Sequence, residues 1–255
     1  MTTVYLNGKL LPLEQAQVSV MDRGFLFGDG VYEVIPVFGG RCFRLDQHLD
    51  RLDCSLAAIH LASPHTHAQW QHICAQLIAE LQRDQPAPDQ MIYIQVTRGP
   101  APLREHRFPA GVRPTVFAFT RATPASPTLP APIACVTTDD IRWARPDIKS
   151  ISLLANVLMT QEALDSGSSE AILIRDGQVL EGASSNVFIA LNDVLYTAPR
   201  SRRILAGITR DLIVELAPQY PLPLREQAIA ADDLARAREI WITSSTRDLV
   251  PVTSL

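Results

Sequence analysis

The chain has 255 residues, enough for one large domain or two modest ones, and its hydrophobic content of 47% suits ordinary globular cores. A net charge of -4 and an isoelectric point near 5.9 argue against a surface that binds nucleic acid or anionic membranes non-specifically. No apolar run approaches the roughly 20 residues that span a bilayer, and residues 1–5 do not resemble a secretory signal. We therefore expect a cytoplasmic protein with neither a nucleic-acid partner nor a membrane partner.

The four cysteines are scattered along the chain and form no CxxC pair. This spacing argues against a zinc site and favours a reduced, cytosolic protein. The cysteines are Cys42, Cys54, Cys74 and Cys135.

The first part of the chain predicts a mixture of strands and helices. Residues 4–11 form a hairpin with Asn-Gly at its tip, and residues 32–38 and 41–45 form two strands joined by a Gly-Gly pair. Asp46 is a candidate N-cap of a helix with one apolar face. That face consists of Leu49, Leu52, Leu56 and Ile59. A second helix carries Trp70, Ile73, Leu77, Ile78 and Leu81, and the strands over residues 91–97 and 115–120 follow it.

A stretch rich in proline, serine and threonine separates the two halves of the chain. It covers residues 121–131 and shows no apolar periodicity, which is typical of a linker. The predicted domains are therefore an N-terminal α/β lobe over residues 1–120 and a C-terminal α/β lobe over residues 132–255.

The second half begins with a strand over residues 133–137 and a helix over residues 152–166, which Gly167 ends. Two hairpins follow, with turns at Asp176-Gly177 and at Asn192-Asp193. Another helix begins near Gly207. Residues 240–242 form the last predicted strand, which leads into a loop of hydroxyl-bearing residues. The sum is an α+β protein with two lobes, and we expect the functional site in the cleft between them.

Only two of the 23 basic residues are lysines, Lys9 and Lys149. A lysine amine can lose its proton and form an imine with an aldehyde, whereas an arginine guanidinium stays protonated. Lys9 follows the hairpin tip and is expected in solvent. Lys149 directly precedes a long apolar segment and could be partly buried. Taken alone, a single lysine is most simply explained as a surface charge.

Two segments could bind a phosphate group. Residues 207–209 (GIT) open a helix, whose free N–H groups and dipole attract anions, and residues 243–246 (TSST) add small donors. Each segment alone is explained equally well by simple capping. Arg51 could complete a phosphate cup. Alternatively, it lies on a solvated helix face between Asp50 and Asp53.

Two further positions could bind charged groups. Glu181 lies between an apolar strand and small residues, where a buried carboxylate would need a cation or donors, such as a protonated pyridine nitrogen. Position alone favours a surface hairpin glutamate instead. Arg104 and His106 lie two positions apart in an extended loop, so both could grip one carboxylate. A solvated basic loop is the alternative.

The order of these segments resembles fold-type IV pyridoxal-phosphate aminotransferases, most closely D-amino acid aminotransferases. The resemblance covers nearly the whole chain, which makes it specific for the fold and the cofactor. The matching segments are residues 22–33 (DRGFLFGDGVYE), 48–52 (HLDRL), 97–109 (TRGPAPLREHRFP), 140–150 (DIRWARPDIKS), 181–188 (EGASSNVF), 204–210 (ILAGITR) and 243–246 (TSST).

The resemblance implies a role for each candidate residue toward pyridoxal 5'-phosphate. Lys149 would hold the cofactor as a Schiff base and move the substrate α-proton, and Glu181 would pair with the pyridinium nitrogen. Leu205 would pack against the ring, with Ser184 close to it. The remaining cofactor-binding residues, mainly at the phosphate, would be Arg51, Gly207, Ile208, Thr209, Ser244 and Ser245.

The implied reaction is transamination between a D-amino acid such as D-alanine and a 2-oxo acid, either 2-oxoglutarate or pyruvate. The family is typically a homodimer with shared active sites at the lobe interface. Tyr32, Arg104 and His106 resemble its carboxylate trap, which reaches in from the partner subunit. Leu103 looks like one extra residue in that loop, so the direction in which the side chains of Arg104 and His106 point stays open. Relatives continue beyond the position of Leu255, and we expect a shortened C-terminal lobe.

Three other functions remain open on the same fold. Aminodeoxychorismate lyases share the lysine and the glutamate but eliminate pyruvate. Branched-chain L-amino acid aminotransferases differ mainly in the substrate pocket, and a non-catalytic relative would bind the cofactor without turnover. Arg104 with His106 favours the D-amino acid group, and the presence of both Lys149 and Glu181 favours catalysis.

Overall fold

The structure is a computed structural model that describes residues 2–85, 87–124, 130–221 and 223–255. The chain divides into two compact units, which are Met1–Ala125 with Ile148–Ser152 and Ser126–Asp147 with Leu153–Leu255. Part of the predicted linker, residues 125–129, lies outside the described residues. The predicted domain limits therefore stay a prediction, whereas the α+β character is confirmed in both units.

The first unit is built on one six-stranded antiparallel sheet in the order β2-β1-β6-β5-β3-β4. Its strands are β1 (Thr3–Leu6), β2 (Lys9–Pro12), β3 (Gly30–Phe38), β4 (Arg41–Cys42), β5 (Gln90–Thr97) and β6 (Thr115–Ala122). Its helices are α1 (Arg23–Phe27), α2 (Leu45–Ala58) and α3 (His67–Asp84). Strand β6 runs to Ala122, so the start of the predicted linker is strand.

The N-terminal hairpin is confirmed. β1 and β2 pair antiparallel with Leu6 opposite Lys9, and the turn residues Asn7 and Gly8 both have positive φ, 49° and 93°. Two-residue hairpin turns with positive φ at both positions favour this Asn-Gly pair. Lys9 is exposed, as predicted.

Helix α2 begins earlier than predicted. Its N-cap is Arg44, in the left-handed region with φ 50°, and Asp46 already lies in the first helical turn. Asp46 as N-cap is therefore wrong, and the strand predicted over residues 41–45 is only two residues long. The backbone reverses tightly at Arg44 and the helix begins at the next residue. Asp46 instead places a negative charge near the helix N-terminus, where the helix dipole favours one.

The predicted apolar faces of the two long helices form the core of the first unit. Leu49, Leu52 and Leu56 of α2 are fully buried, and α3 begins with a capping box between Thr66 and Gln69. The same core includes Ile148, from the short segment that contains Lys149. Burial of Ile148 therefore fixes that segment within the first unit.

The second unit carries a nine-stranded mixed sheet in the order β12-β11-β10-β14-β15-β7-β8-β9-β13. Its strands are β7 (Ile133–Asp139), β8 (Glu170–Arg175), β9 (Gln178–Gly182), β10 (Asn186–Leu191), β11 (Val194–Thr197), β12 (Leu224–Glu226), β13 (Ile229–Ala230), β14 (Glu239–Ser244) and β15 (Asp248–Ser254). Its helices are α4 (Leu154–Asp165) and α5 (Ile208–Leu216). The pairs β11–β12, β15–β7 and β7–β8 are parallel.

Both predicted hairpins of the second unit are confirmed, β8–β9 and β10–β11, and each has two turn residues with positive φ. Gly167 follows α4 with φ 80°, as expected of a helix stop. β14 is not the last strand. β15 follows it, pairs with β14 and β7, and buries Val250. No helix within the described ranges is both long and apolar enough to cross a membrane.

Candidate active site

Lys149 lies in the first unit, where its backbone is tied to neighbouring elements. The N–H of Tyr32 on β3 donates to the Lys149 carbonyl oxygen over 3.0 Å, and the Lys149 N–H donates to the hydroxyl of Ser55 on α2 over 3.3 Å. Ile148 and Ser150 on either side are buried, whereas Lys149 itself is partly exposed. The backbone is therefore fixed while the amine can be reached from solvent.

The Lys149 amine lies over an aromatic ring. Its Nζ is 4.2 Å from the centroid of the Tyr32 ring, and Tyr32 in turn stacks on Tyr93 with the ring centroids 5.7 Å apart. A cation–π contact positions an amine without occupying its N–H groups in a hydrogen bond. The arrangement can hold Nζ in place for reaction with a carbonyl carbon.

Arg51 grips a buried carboxylate. Its Nε and Nη2 donate to the two oxygens of Glu33 over 2.7 and 2.8 Å, and His48 Nδ1 lies 2.8 Å from the second oxygen. Burial alone would raise the pKa of Glu33, but the Arg51 charge and the hydrogen bonds of Arg51 and His48 lower it to about 2. A solvated helix-face arginine is therefore the wrong interpretation of Arg51.

Arg104 and His106 meet at one ring in the first unit. The Arg104 guanidinium carbon lies 4.9 Å from the centroid of Phe27, and the His106 ring lies 5.5 Å from it at 62°. Both side chains are exposed, and the loop is tied to α1 because Arg23 Nη1 donates to the Glu105 carbonyl over 2.6 Å. Arg104 and His106, two of the three predicted trap residues, are thus brought together. The ring of Tyr32, the third, contacts Tyr93 and Lys149 instead.

Glu181 lies at the end of β9 in the second unit and is almost fully buried. Arg142 Nη1 and Asn186 Nδ2 each donate to one of its oxygens, and the Leu205 N–H lies 3.0 and 3.2 Å from the two. The surface glutamate that position favoured is therefore wrong. Burial raises the pKa of Glu181 to about 7, although Arg142 and the Leu205 N–H act to lower it.

Arg142 and Asn186 have no role assigned from the sequence. Arg142 also donates through Nε and Nη2 to both oxygens of Asp140 over 2.9 Å, and Arg175 contacts Asp140 at 3.0 Å. The Asp-x-Arg spacing was a usable signal, because side chains two apart in an extended segment point the same way. The ion pair between Arg142 and Glu181, which are 39 positions apart, has no corresponding pattern in the sequence.

Gly207 must be a glycine because of Asn186. A Cβ atom at this position would lie 2.0 Å from Asn186 Oδ1, which is closer than atoms can approach. Asn186 Nδ2 donates hydrogen bonds to Glu181 and, over 2.8 Å, to the Leu205 carbonyl oxygen. These two bonds leave the Asn186 side chain little freedom to move away. Gly207, Leu205 and Glu181 are thereby joined through one amide.

Helix α5 begins at Ile208 with Gly207 as its N-cap, and no side-chain hydrogen bond from the cap satisfies its first N–H groups. Such an end attracts anions through free N–H groups and the helix dipole. Thr209 is partly exposed in the first turn, and Ser244 at the end of β14 and Ser245 directly after it are partly exposed as well. These residues are available to an anion in the second unit.

Ser184, the other predicted ring neighbour, contacts a second buried carboxylate. Its N–H and hydroxyl donate to Glu170 over 2.7 and 3.0 Å, and Glu170 itself is buried. Arg247 donates to both Ser184 Oγ and Glu170. Neither Glu170 nor Arg247 was singled out by the sequence.

One antiparallel sheet, one mixed sheet, a partly exposed lysine and a buried glutamate are all features that a known enzyme class shares. The chain belongs to the class IV aminotransferases, because the family model described as amino-transferase class IV matches residues 30–255. A D-alanine aminotransferase from Bacillus licheniformis is 42% identical over 253 residues, which are 99% of this chain and 88% of that protein. One from Listeria monocytogenes is 36% identical, over 99% of this chain and 87% of that protein.

Solved structures agree with this assignment. A fold IV-transaminase from Curtobacterium pusillum has a TM-score of 0.89 and 26% identity, and the match covers 100% of this chain and 92% of that one. A branched-chain amino acid aminotransferase from Escherichia coli also has a TM-score of 0.89, at 24% identity, over 99% and 86% of the two chains. At that identity the second match supports the fold alone. The predicted fold-type IV architecture is confirmed.

Proposed function

We propose that this chain is a pyridoxal-phosphate-dependent aminotransferase that exchanges the amino group between a D-amino acid and a 2-oxo acid. The environment of Glu181 carries the proposal. A buried carboxyl with a pKa of about 7, held by three donors, suits a partner that is itself a protonated ring nitrogen. The names of the curated relatives from Bacillus and Listeria support the choice of D-amino acids.

The residues present fit the proposed cofactor group by group. Lys149 offers an amine for its aldehyde, Glu181 a carboxylate for its ring nitrogen, and the first turn of α5 with Ser244 and Ser245 offers donors for its phosphate. Gly207 would take part as the N-cap of α5, whose first N–H groups have no side-chain cap. We assign Arg51, Ile208 and Thr209 to the phosphate and Leu205 and Ser184 to the ring.

When bound, pyridoxal phosphate supplies an aldehyde that condenses with amines and a pyridinium ring that takes up an electron pair from the substrate Cα. Lys149 Nζ would anchor that aldehyde carbon until the substrate amine displaces it. The freed amine would then remove the proton at the substrate Cα and deliver it to the former aldehyde carbon. Glu181 would keep the proton on the ring nitrogen, and Leu205 would cover a ring face from water. Tyr32, Arg104 and His106 would bind the α-carboxylate.

We further propose a cytoplasmic homodimer with shared active sites. Leu154 and Val157 on α4 expose 73% and 60% of their surface, and Phe25 and Leu103 in the first unit are similarly exposed. Large apolar side chains clustered on a helix face mark a protein interface, and two copies related by symmetry are the commonest solution. The exposed Arg104 and His106 would then serve the site of the other copy.

The test is to add pyridoxal phosphate to the purified protein, reduce it with borohydride and locate the label by mass spectrometry. We expect a yellow protein labelled on Lys149 and transamination of D-alanine with 2-oxoglutarate. Lys149→Ala should bind the cofactor non-covalently and lose α-proton exchange, while Lys9→Ala should behave as the parent. A label on Lys9, or no absorbance change on adding cofactor, would refute the proposal.

The substrate assignment is tested separately from the cofactor. L-leucine turned over faster than D-alanine would replace the D-amino acid assignment with a branched-chain L-amino acid activity. Release of pyruvate from aminodeoxychorismate without transamination of D-alanine would identify a lyase. Labelling of Lys149 with no turnover of any of these substrates would indicate a non-catalytic relative.

A further inference from the structure

Arg247 lies in the turn between β14 and β15 of the second unit, and nothing in the proposed reaction uses it. Its side chain is one-third exposed. Its Nη2 donates to the buried carboxylate of Glu170 and, over 2.9 Å, to the hydroxyl of Ser184. The arginine is therefore fixed beside Ser184, which we have placed at the cofactor ring. It also lies in the same turn as Ser245, which follows Ser244 at the end of β14.

Only one nitrogen of the Arg247 guanidinium, Nη2, forms hydrogen bonds within the described residues. The hydrogen bonds of Arg247 side-chain atoms within the described ranges all involve Nη2, while Nε and Nη1 have no partner there. Arginine presents five N–H donors in a rigid fork, and the edge formed by two of its nitrogens matches a carboxylate bidentately. Glu170 orients the guanidinium through Nη2, and the N–H groups of Nε and Nη1 can bind a second carboxylate.

We infer that Arg247 binds the distal carboxylate of a dicarboxylic substrate, so that the enzyme prefers 2-oxoglutarate and D-glutamate to pyruvate and D-alanine. The inference rests on the proposed function, because Ser184 marks the substrate side of the site only if the cofactor lies there. Tyr32, Arg104 and His106 are already assigned to the α-carboxylate. A further cation beside the ring therefore matches a substrate with a further carboxylate, which pyruvate lacks.

The first test is acceptor selectivity with D-2-aminobutyrate as donor, a monocarboxylic amino acid whose 2-oxo product differs from both acceptors. In Arg247→Ser we expect the ratio of kcat/KM for 2-oxoglutarate to that for pyruvate to fall at least tenfold, as a rise in KM for 2-oxoglutarate. A charged hydrogen bond is worth about this much in affinity. Arg247→Lys keeps the charge but loses the fork and should give an intermediate ratio. Arg238→Ser, an exposed arginine of the same unit, should keep the parent ratio.

A second readout does not depend on turnover. Calorimetric titration with glutarate, an unreactive dicarboxylate, should show binding to the cofactor-loaded protein that Arg247→Ser weakens at least tenfold, while butyrate binds both weakly. If Arg247→Ser fails to fold because Glu170 is left unpaired, the double variant Glu170→Gln with Arg247→Ser removes that charge and is measured instead. A purely structural role would lower activity with both acceptors equally.

The outcomes separate the two proposals. Transamination with an unchanged acceptor ratio in Arg247→Ser, or unchanged glutarate affinity, overturns the role of Arg247 and leaves the aminotransferase intact. Absence of transamination with either acceptor in the parent protein overturns both. A selective loss with 2-oxoglutarate and weaker glutarate binding supports the distal-carboxylate site.

Discussion

Arg142 and Glu181 form an ion pair in the interior of the second unit, with only 6% and 4% of their side chains exposed. Asp140 holds Arg142 from the other side, so the chain of charges alternates from carboxylate to guanidinium to carboxylate. Removing one partner of a buried pair leaves the other without compensation. The position of Glu181 in the proposed site therefore depends on a residue that would not touch the cofactor.

Replacing Arg142 with methionine tests this dependence. We expect a loss of about 3 kcal/mol or more in the free energy of unfolding at pH 8, because the buried Glu181 loses its cation while Asp140 keeps Arg175. The pKa of Glu181, already about 7, should rise further, so that the carboxyl is neutral at pH 7 and cannot hold a ring proton. Urea unfolding measures the first effect, and the pH profile of kcat measures the second.

Arg145 supplies the matched control three positions away. It also pairs with an aspartate two residues on, Asp147, but that pair is partly exposed. Arg145→Met should leave the urea midpoint and the pH profile close to those of the parent, since exposed pairs contribute little. Equal losses in the two variants would contradict a special role for Arg142.

Glu181 should also make the stability of the cofactor-free protein depend on pH. Its pKa is raised from 4.5 to about 7 on folding, so between these values the folded state binds more protons than the unfolded state. Stability from this group is complete below pH 4.5 and is lost as pH rises through 7, by about 3 kcal/mol in all. Denaturant unfolding from pH 4.5 to 8 measures the slope.

Glu181→Gln should remove that slope, because an amide does not titrate. Glu33 provides a contrast of opposite sign in the first unit. Its pKa falls from 4.5 to about 2 on folding, so its contribution is present above pH 4.5 and is lost as pH falls toward 2. Glu181→Gln should leave this acid limb unchanged. A variant whose stability still falls between pH 4.5 and 7 would refute the assignment.

Local sequence patterns predicted much of the fold and little of the polar networks. The Asn-Gly and Asp-Gly pairs placed the hairpins correctly, since turns with two positive φ angles demand such residues. The motif order singled out Lys149 and Glu181, and their roles stay a prediction. β15 escaped prediction because Pro251 interrupts it and Val250 is its one fully buried residue, so no alternating pattern marks it.

The partners of the site residues lie far away in sequence. Glu170 and Arg247 are 77 positions apart, and Arg142 and Glu181 are 39 apart. Such pairs arise when the sheet brings strand ends together, and no periodicity within one element reports them. The burial of Glu181 follows from the same packing, which is why position in the chain favoured a surface residue.

Gly207→Ala tests the close approach at the start of α5. The backbone there has φ -71°, which alanine adopts freely, so the cost comes from the contact of the new Cβ with Asn186 Oδ1. We expect a destabilisation of about 1–3 kcal/mol. We also expect at least tenfold weaker binding of pyridoxal phosphate, because Asn186 and the Leu205 N–H both hold Glu181. Thermal unfolding and cofactor titration measure the two effects.

Gly177→Ala is the corresponding control. No atom lies within 4 Å of a Cβ built there, but its φ of 69° disfavours alanine. This variant should lose a comparable amount of stability through backbone strain while keeping the parent affinity for the cofactor. Weaker cofactor binding in both variants would show that affinity follows general stability and not the contact with Asn186.

The exposed face of α4 predicts an effect on assembly. Val157→Glu places a charge among Leu154 and Leu158, which are 73% and 53% exposed, and burying an unpaired charge in an interface is costly. If a second copy covers this face, the variant should be monomeric by light scattering at concentrations where the parent is dimeric. Tyr220→Glu, at another exposed apolar residue of the same unit, should remain dimeric. Because we propose that Arg104 and His106 serve the site of the other copy, the monomer should also lose transamination while its cofactor affinity stays measurable. A dimeric Val157→Glu variant would place the interface elsewhere.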